Sequence, residues 1–286
     1  MVYSQRMNNY QIDDSFSIPD ELWARIESLI PPPKPRKRQD RPGRPRQDNR
    51  QMLTAIFYLL RTGCQWSALP RQLGAYSTVH GRFQEWQEAG LFAQLWRAGL
   101  LEYDRAKGLD WEWQAMDGTM TKALLGGKGT GPNPTDRGKQ GTKRSLLTEG
   151  HGLPIGLAVD GANRNDFKMM QATLESMAVE RPQPTAEQAQ GLCLDKGYDY
   201  AEVREILGQW GYTAHIRTRG EEAHDKACIP GYRARRWVVE RTHAWMNRFR
   251  RLLIRWEKKV ENYLGMLHFA CAFICFRAAG IIGQAR

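Results

Sequence analysis

Apolar positions recur at two different periods along this chain, and the change falls near residue 110. In the N-terminal part they fall three and four apart, the helical spacing. Ile18, Leu22, Ile26 and Leu29 make one stripe, predicting a first helix over 19–29 capped by Ser17. Asp48 predicts the start of a second helix with Leu53, Ile56, Phe57 and Leu60 on its core face, ended by Gly63. Ser67 and Gly74 bracket a short helix over 68–73. Ser77 opens another over 78–89, with Val79, Phe83 and Trp86 facing inward, and Gly90 separates it from a helix over 91–107. A short helix, a turn of about four residues and a second helix is helix-turn-helix geometry. Residues 48–108 therefore predict an α-helical DNA-binding unit whose second helix exposes Thr78, His80, Gly81, Arg82, Gln84 and Glu85.

From Trp111 onward the apolar runs shorten and read as strands over 111–116, 145–149, 153–159, 192–194 and 213–216, with Gly150-His151-Gly152 as a hairpin turn. Helical stretches fall at 166–179, 200–210 and 234–257. Three strands, helix, strand, helix, strand, helix predicts a mixed α/β sheet, not a doubly wound one. The chain thus divides into an N-terminal helix with a Pro/Arg-rich arm (1–47), the helical unit (48–108) and an α/β unit (109–286). The apolar run 266–282 contains His268 and Arg277 and is too interrupted to span a membrane. With no apolar targeting stretch at the start, the expected location is the cytoplasm, at the nucleoid.

Charge sharpens this picture. The 286 residues sum to +11, yet segment 31–50 alone carries an excess of six positive charges and segment 231–259 an excess of eight, leaving the remainder slightly acidic. Two cationic blocks on a near-neutral scaffold suit a polyanionic partner, whereas solubilising charge would be spread and sign-mixed. Pro31-Pro32-Pro33-Lys34-Pro35 can be neither helix nor sheet and predicts an extended arm. Its Arg41-Pro42-Gly43-Arg44-Pro45-Arg46 resembles a minor-groove AT-hook, with Arg44 and Arg46 as DNA contacts; a basic tether gripping phosphates without preference is the alternative. Within 126–141, Gly138-Lys139 precedes Gln140 and a strand, so it lacks the Ser/Thr and helix a P-loop needs. A mobile basic loop is expected instead, offering Lys128, Arg137 and Lys139 to phosphates. The five cysteines form no C-x-x-C pair and read as small core residues in a reducing compartment.

Three acids carry the candidate chemistry. Asp117 ends the apolar run Gln114-Ala115-Met116 and precedes Gly118. Asp195 repeats that design after Leu192-Cys193-Leu194, with Gly197 following. Glu240 lies in the basic helical stretch, where Arg236, Glu240, His243, Asn247 and Arg251 are spaced to share one face. With Arg241 and Arg248 the non-acidic members are candidate DNA contacts; for Glu240 an ordinary ion-pair network with Arg236 and Arg241 is the alternative. Two strand-end aspartates and a helix glutamate on a cationic chain suggest a two-metal phosphodiester site. Carboxylates suit Mg²⁺, a hard octahedral cation, and Mn²⁺ would substitute. Asp160 and Asp166 read better as turn and cap residues, and Asp199 as a helix cap. A metal lowers the pKa of its own water, so His243 is not needed as a base.

These segments resemble those of DDE-type bacterial insertion-sequence transposases, the family around insertion sequence five and related to that around insertion sequence four. Asp117-Gly118-Thr119 and Asp195-Lys196-Gly197-Tyr198 carry the likeness, the second resembling an Asp-x-Gly-Tyr/Phe element. The stretch 236–251 resembles a signature of Tyr, two residues, Arg, three residues, Glu, six residues, Lys. Arg236 and Glu240 fit it; Arg233 holds the Tyr position, with Tyr232 one place off, and Asn247 the Lys position. The likeness spans roughly residues 40–280 and implies a ribonuclease H-like catalytic domain. It also implies that Asp117, Asp195 and Glu240 hold two Mg²⁺. The partners it implies are double-stranded DNA, as terminal inverted repeats and target, and a second protomer in the DNA complex. The implied activity is hydrolysis at the element ends and joining of the 3′-hydroxyl to target. Two other readings stay open: a ribonuclease H-like endonuclease without strand transfer, and a transposase-derived DNA-binding protein without catalysis.

Overall fold

The computed structural model describes residues 13–34, 45–216, 224, 227–228 and 235–283. Arg44, with most of the arm, and Tyr232 and Arg233 lie outside the described residues. The helical layer comprises α1 (Asp20–Ile26), α2 (Asn49–Thr62), α3 (Tyr76–Glu88) and α4 (Leu91–Lys107). Asp48 caps α2 as its position predicts, accepting from the Gln51 amide at 2.8 Å, and Gly63 closes the helix at φ 71°. The helix expected over 68–73 does not form. Two single 3₁₀ turns, Trp66–Ala68 and Arg71–Leu73, replace it, because Pro70 between them cannot donate a helical hydrogen bond. Nor do Ser17 and Ser77 act as caps: α1 follows Pro19 and α3 follows Ala75, each without a side-chain cap.

The sheet contains β1 (Trp113–Lys122), β2 (Gly131–Pro132), β3 (Gln140–Thr148), β4 (Pro154–Gly161), β5 (Gln190–Leu194) and β6 (Tyr212–Ile216). Its order is β4-β3-β1-β5-β6, with the two-residue β2 also on β3. Strands β1, β3 and β4 are antiparallel neighbours, while β5 and β6 run parallel to β1. Three antiparallel strands followed by two parallel ones on the other side of the first is a ribonuclease H-like sheet. The crossovers hold α5 (Met170–Glu175) and α6 (Ala201–Gln209). Buried Gln114 on β1 is satisfied by Gln190 and by the Tyr212 hydroxyl, which donates at 2.7 Å.

Two later helices join the halves. In α7 (Trp237–Asn247) Thr242 donates to the Gly152 carbonyl, fastening the helix to the turn between β3 and β4. Helix α8 (Val260–Ala278) is apolar on nearly every side, and its central residues are buried against α4. Gly99 permits that approach: a Cβ there would sit 3.0 Å from the Cys275 side chain and 3.1 Å from the Ala272 carbonyl. One continuous core therefore runs from Ile18 to Ile282. No helix among the described residues is long and apolar enough to cross a membrane.

The helix expected over 234–257 ends ten residues early. Phe249 is extended (φ −87°, ψ 95°), and Ile254 makes a bridge to Lys122. Two arginines turned inward break the helix. Arg251 pairs with Glu257 at 2.8 Å and donates to the Cys64 carbonyl. Arg255 donates to the carbonyls of Lys128 and Gly129 at 2.6 and 2.9 Å. A buried guanidinium requires such partners, and a continuing helix could not supply them. The loop read as mobile is consequently pinned at Lys128 and Gly129.

Candidate active site

The two aspartates meet because their spacing equals the register of the strands that carry them. Trp113 pairs with Gly191 and Ala115 with Cys193, an offset of 191 − 113 = 78. Asp117 and Asp195 differ by the same 195 − 117 = 78. Each therefore stands two residues beyond the last parallel pair, where β5 ends and β1 continues alone beside β3, opposite Leu146. A chain end opening beside a continuing strand gives a carboxylate access to solvent at a ligand-accepting edge.

Helix α7 brings the third acid, from its first turn. His243 on the same helix packs under the site, its Nε2 3.4 Å from the Asp117 carbonyl oxygen. Arg144 on β3 donates to the Asn247 side chain at 2.8 Å and holds the far end of α7. Arg241 donates to the His151 carbonyl and lies between the Trp237 and Trp245 rings. Clamped at these points, α7 presents Glu240 toward the aspartates with 59% of its side chain exposed.

Asp117 records the crowding. Burial, then the charges of Asp195, Asp166 and Glu240, push its carboxyl up to about 6, against the opposing pull of the Gly118 amide. Asp166 is thus a fourth acid of the cluster, which its assignment as a cap missed. Asn165, not Asp166, stands at the cap position of that turn, and Asp166 pairs with the buried Lys143 at 3.0 Å. It sits so close to Gly118 that a Cβ there would lie 1.9 Å from its Oδ1. The signal available in the sequence was Gly118 itself, a residue without a side chain beside the first acid. Asp160 and Asp199 pair with Arg164 and Arg204, and Asp199 does not cap α6.

The donor chemistry suits a hard divalent cation: four carboxylates whose mutual repulsion a cation would relieve. As the side chains stand, no three such donors among the described residues converge on one point. Local partners hold them apart. Asp195 accepts from the Gly197 amide at 2.8 Å, Asp166 faces Lys143, and Glu240 faces Arg236 at 3.8 Å.

The residues expected to touch DNA divide in two. Thr78, Lys128, Arg137, Lys139, Asn247 and Arg248 are exposed; His80, Gln84, Arg236 and Arg241 are half-buried, and Arg46 pairs with Glu85 at 2.7 Å. Three others are buried, which overturns their reading as surface contacts. Arg82 is 5% exposed, lies over the Trp86 ring and donates to Asn49. His243 is 6% exposed, and burial with the charge of Arg144 lowers its imidazole to about 3, so it is neutral, a weak base and shut off from solvent. Arg251 is consumed by Glu257 and the Cys64 carbonyl. The polar stripe drawn from residue spacing fails at the same two places, 243 and 251.

Comparison with known proteins bears on both halves. The family model described as "Putative transposase of IS4/5 family" matches residues 18–96, and that described as "Transposase DDE domain" matches 192–277. The "Putative transposase for insertion sequence element IS402" of Burkholderia cepacia is 35% identical over 149 residues, 51% of this chain and 68% of that protein. The "Insertion element IS402 uncharacterized 16.2 kDa protein" of the same organism is 40% identical over 119 residues, 41% of this chain and 80% of that protein. Among solved structures, the Mos1 mariner paired end complex with Mn aligns at TM-score 0.29 and 13% identity, over 86% of this chain and 82% of that one. The strand order, the register-matched aspartates and the two family matches lead to one assignment: the chain belongs to the DDE-type insertion-sequence transposases of the IS4/5 family.

Proposed function

We propose that this protein binds the terminal inverted repeats of its own element, cleaves the DNA at those ends and joins the freed 3′-hydroxyls to target DNA. The observation that carries this reading is the position of Asp117, on which the charges of Asp195, Asp166 and Glu240 all act, in a chain of net charge +11. In this reading Asp117, Asp195 and Glu240 would hold Mg²⁺, with Mn²⁺ able to substitute, and the metal would supply activation of a water and stabilisation of the leaving oxygen. Asp117 is ionised above pH about 6 and so is ready to coordinate at neutral pH. Asp166 and Lys143 stand beside it, and Gly118, without a side chain, leaves room for the Asp166 carboxylate. His243 moves no proton; it fixes the Asp117 backbone through its carbonyl. The helical unit over 48–108 binds the repeat through the exposed start of α3 at Thr78, with Gln84 and His80 behind it. Lys128, Arg137, Lys139, Arg236 and Asn247 contact phosphates. Joining two ends requires two active sites, so the working complex contains two protomers.

A strand-transfer assay tests this directly, with pre-cut element ends, a target plasmid and Mg²⁺. Joined products are expected. Exclusively hydrolysed products would make the protein a nuclease, and binding without either product would make it a DNA-binding protein alone.

A further inference from the structure

A second like-charge cluster lies at the other end of α7. A cavity of about 440 Å³ opens where the ends of α2, α4, α7 and α8 meet, with Arg61, Lys107, Arg248 and Arg277 on its rim and Phe249 and Phe273 on its floor. Four separate segments contribute one cation each. Arg61 lies over the Phe249 ring at 5.6 Å and Arg277 over Phe273 at 5.6 Å, so aromatic faces, not carboxylates, hold the guanidiniums in place. Among the described residues no carboxylate pairs with Arg61, Arg248 or Arg277; Lys107 donates to the Ala278 carbonyl at 2.7 Å. The Nε of Arg277 is buried without a hydrogen-bond partner. Burial, then Arg277, Arg248 and Arg250, lowers the Arg61 guanidinium, and burial with Arg248 lowers that of Arg277.

Two other inward-turned arginines are fully partnered. Arg251 has Glu257, and Arg255 has four backbone carbonyls. Each of the four cations at the cavity stands at a helix C-terminal end, whose dipole favours it, yet gathered there without an acid they repel one another. Such a cluster fits an anion with several acceptor oxygens, which guanidiniums bind by two parallel hydrogen bonds. The neighbourhood specifies which anion. Arg248 is the C-cap that ends α7, eight residues after Glu240, roughly 12 Å at 1.5 Å per residue. A duplex placed at the acid cluster therefore passes within reach of the cavity.

We propose that this cavity is a phosphate-binding site for the DNA backbone, in which Arg61, Arg248 and Arg277 grip a phosphodiester away from the one that reacts. The site rests on the reading of the protein as a DNA-processing transposase. It acts in holding DNA, and it is not part of the reaction centre.

The test measures full-length protein binding to an element-end duplex by fluorescence anisotropy across a salt series, without divalent cation. Arg61→Gln with Arg277→Gln should weaken binding and make the log–log salt dependence shallower by about one, since one phosphate contact contributes about 0.9 to the slope. Arg61→Lys with Arg277→Lys keeps the charge and should retain the slope while losing part of the affinity. A thermal melt at least as high as the wild type is expected for the Gln pair, because it removes repulsion. A neutral methylphosphonate scanned along the duplex should weaken the wild type at one position where the Gln pair is insensitive. An unchanged slope in a folded Gln variant, or additive losses at every scanned position, would overturn the proposal. Failure of the wild type itself to bind the duplex would instead overturn the functional reading on which the site rests.

Discussion

The two ends of α7 hold opposite charges in the same crowded manner. At its first turn Glu240 joins Asp117, Asp195 and Asp166; at its last, Arg248 joins Arg61 and Arg277. Each arrangement suits the helix dipole, acid at the N-terminus and cation at the C-terminus. Yet each gathers like charges that repel, and other groups temper the strain differently. The acids are parted by Lys143, Arg236 and the Gly197 amide, whereas the arginines rest on aromatic rings. The dipole favours one charge at each helix end, but it does not call for several like charges to converge. The contrast with Arg251 and Arg255, which are buried and fully partnered, separates charges that hold the structure from charges kept for a ligand.

The largest effect should come from the acid end. Asp117→Asn, Asp195→Asn and Glu240→Gln each remove a carboxylate oxygen's charge at nearly constant size. Cleavage and joining should fall by at least about three orders of magnitude, with end binding within about threefold of wild type. Metal-dependent activity surviving in any of the three would remove that residue from the centre.

A second effect concerns stability against pH. The Asp117 carboxyl titrates near 6 in the folded protein against an ordinary 3.8, so the folded state holds that proton more tightly than the unfolded chain. Stability from this group is therefore greatest below about pH 4, falls as pH rises, and the full deficit stands above pH 6. Asp117→Asn should stabilise the metal-free protein at pH 8 by something on the order of 2–3 kcal/mol, with the gain vanishing toward pH 4. Denaturant unfolding at the two pH values measures this, and equal stability at both would show that the acids do not repel as their placement demands.

The smallest effect separates a fold arginine from a ligand arginine. Arg82→Ala should cost about 1–2 kcal/mol through the lost contacts with Asn49 and Trp86. The ratio of specific to random DNA binding should stay unchanged, because the guanidinium is buried. A reduced ratio with unchanged stability would return Arg82 to the DNA surface.

Much of the catalytic half could be read from residues alone. Apolar runs reaching Asp117 and Asp195 announce the sheet and the two acids, because strand pairing converts a sequence spacing of 78 into spatial adjacency, although β1 continues through Asp117 to Lys122 instead of ending there. Three features were not legible, each for a different reason. The break after Asn247 depends on acceptors for Arg251 and Arg255 that come from residues 64, 128, 129 and 257. Asp166 stands where a helix cap is common, and only the fold shows that it faces Gly118. The arginine cavity draws on positions 61, 107, 248 and 277, which no local pattern connects.

The most direct test of the acid centre needs no DNA. Thermal unfolding of the full-length protein at pH 8 would be followed during titration with Mg²⁺ and Mn²⁺, for the wild type and Asp117→Asn. Ligand that binds only the folded state raises the midpoint with concentration. The wild type should start lower than Asp117→Asn and climb by several degrees as cation is added, while the variant stays nearly flat. A wild type indifferent to both cations, or a variant that climbs in parallel with it, would contradict the assignment of Asp117, Asp195 and Glu240 to one cation-binding centre.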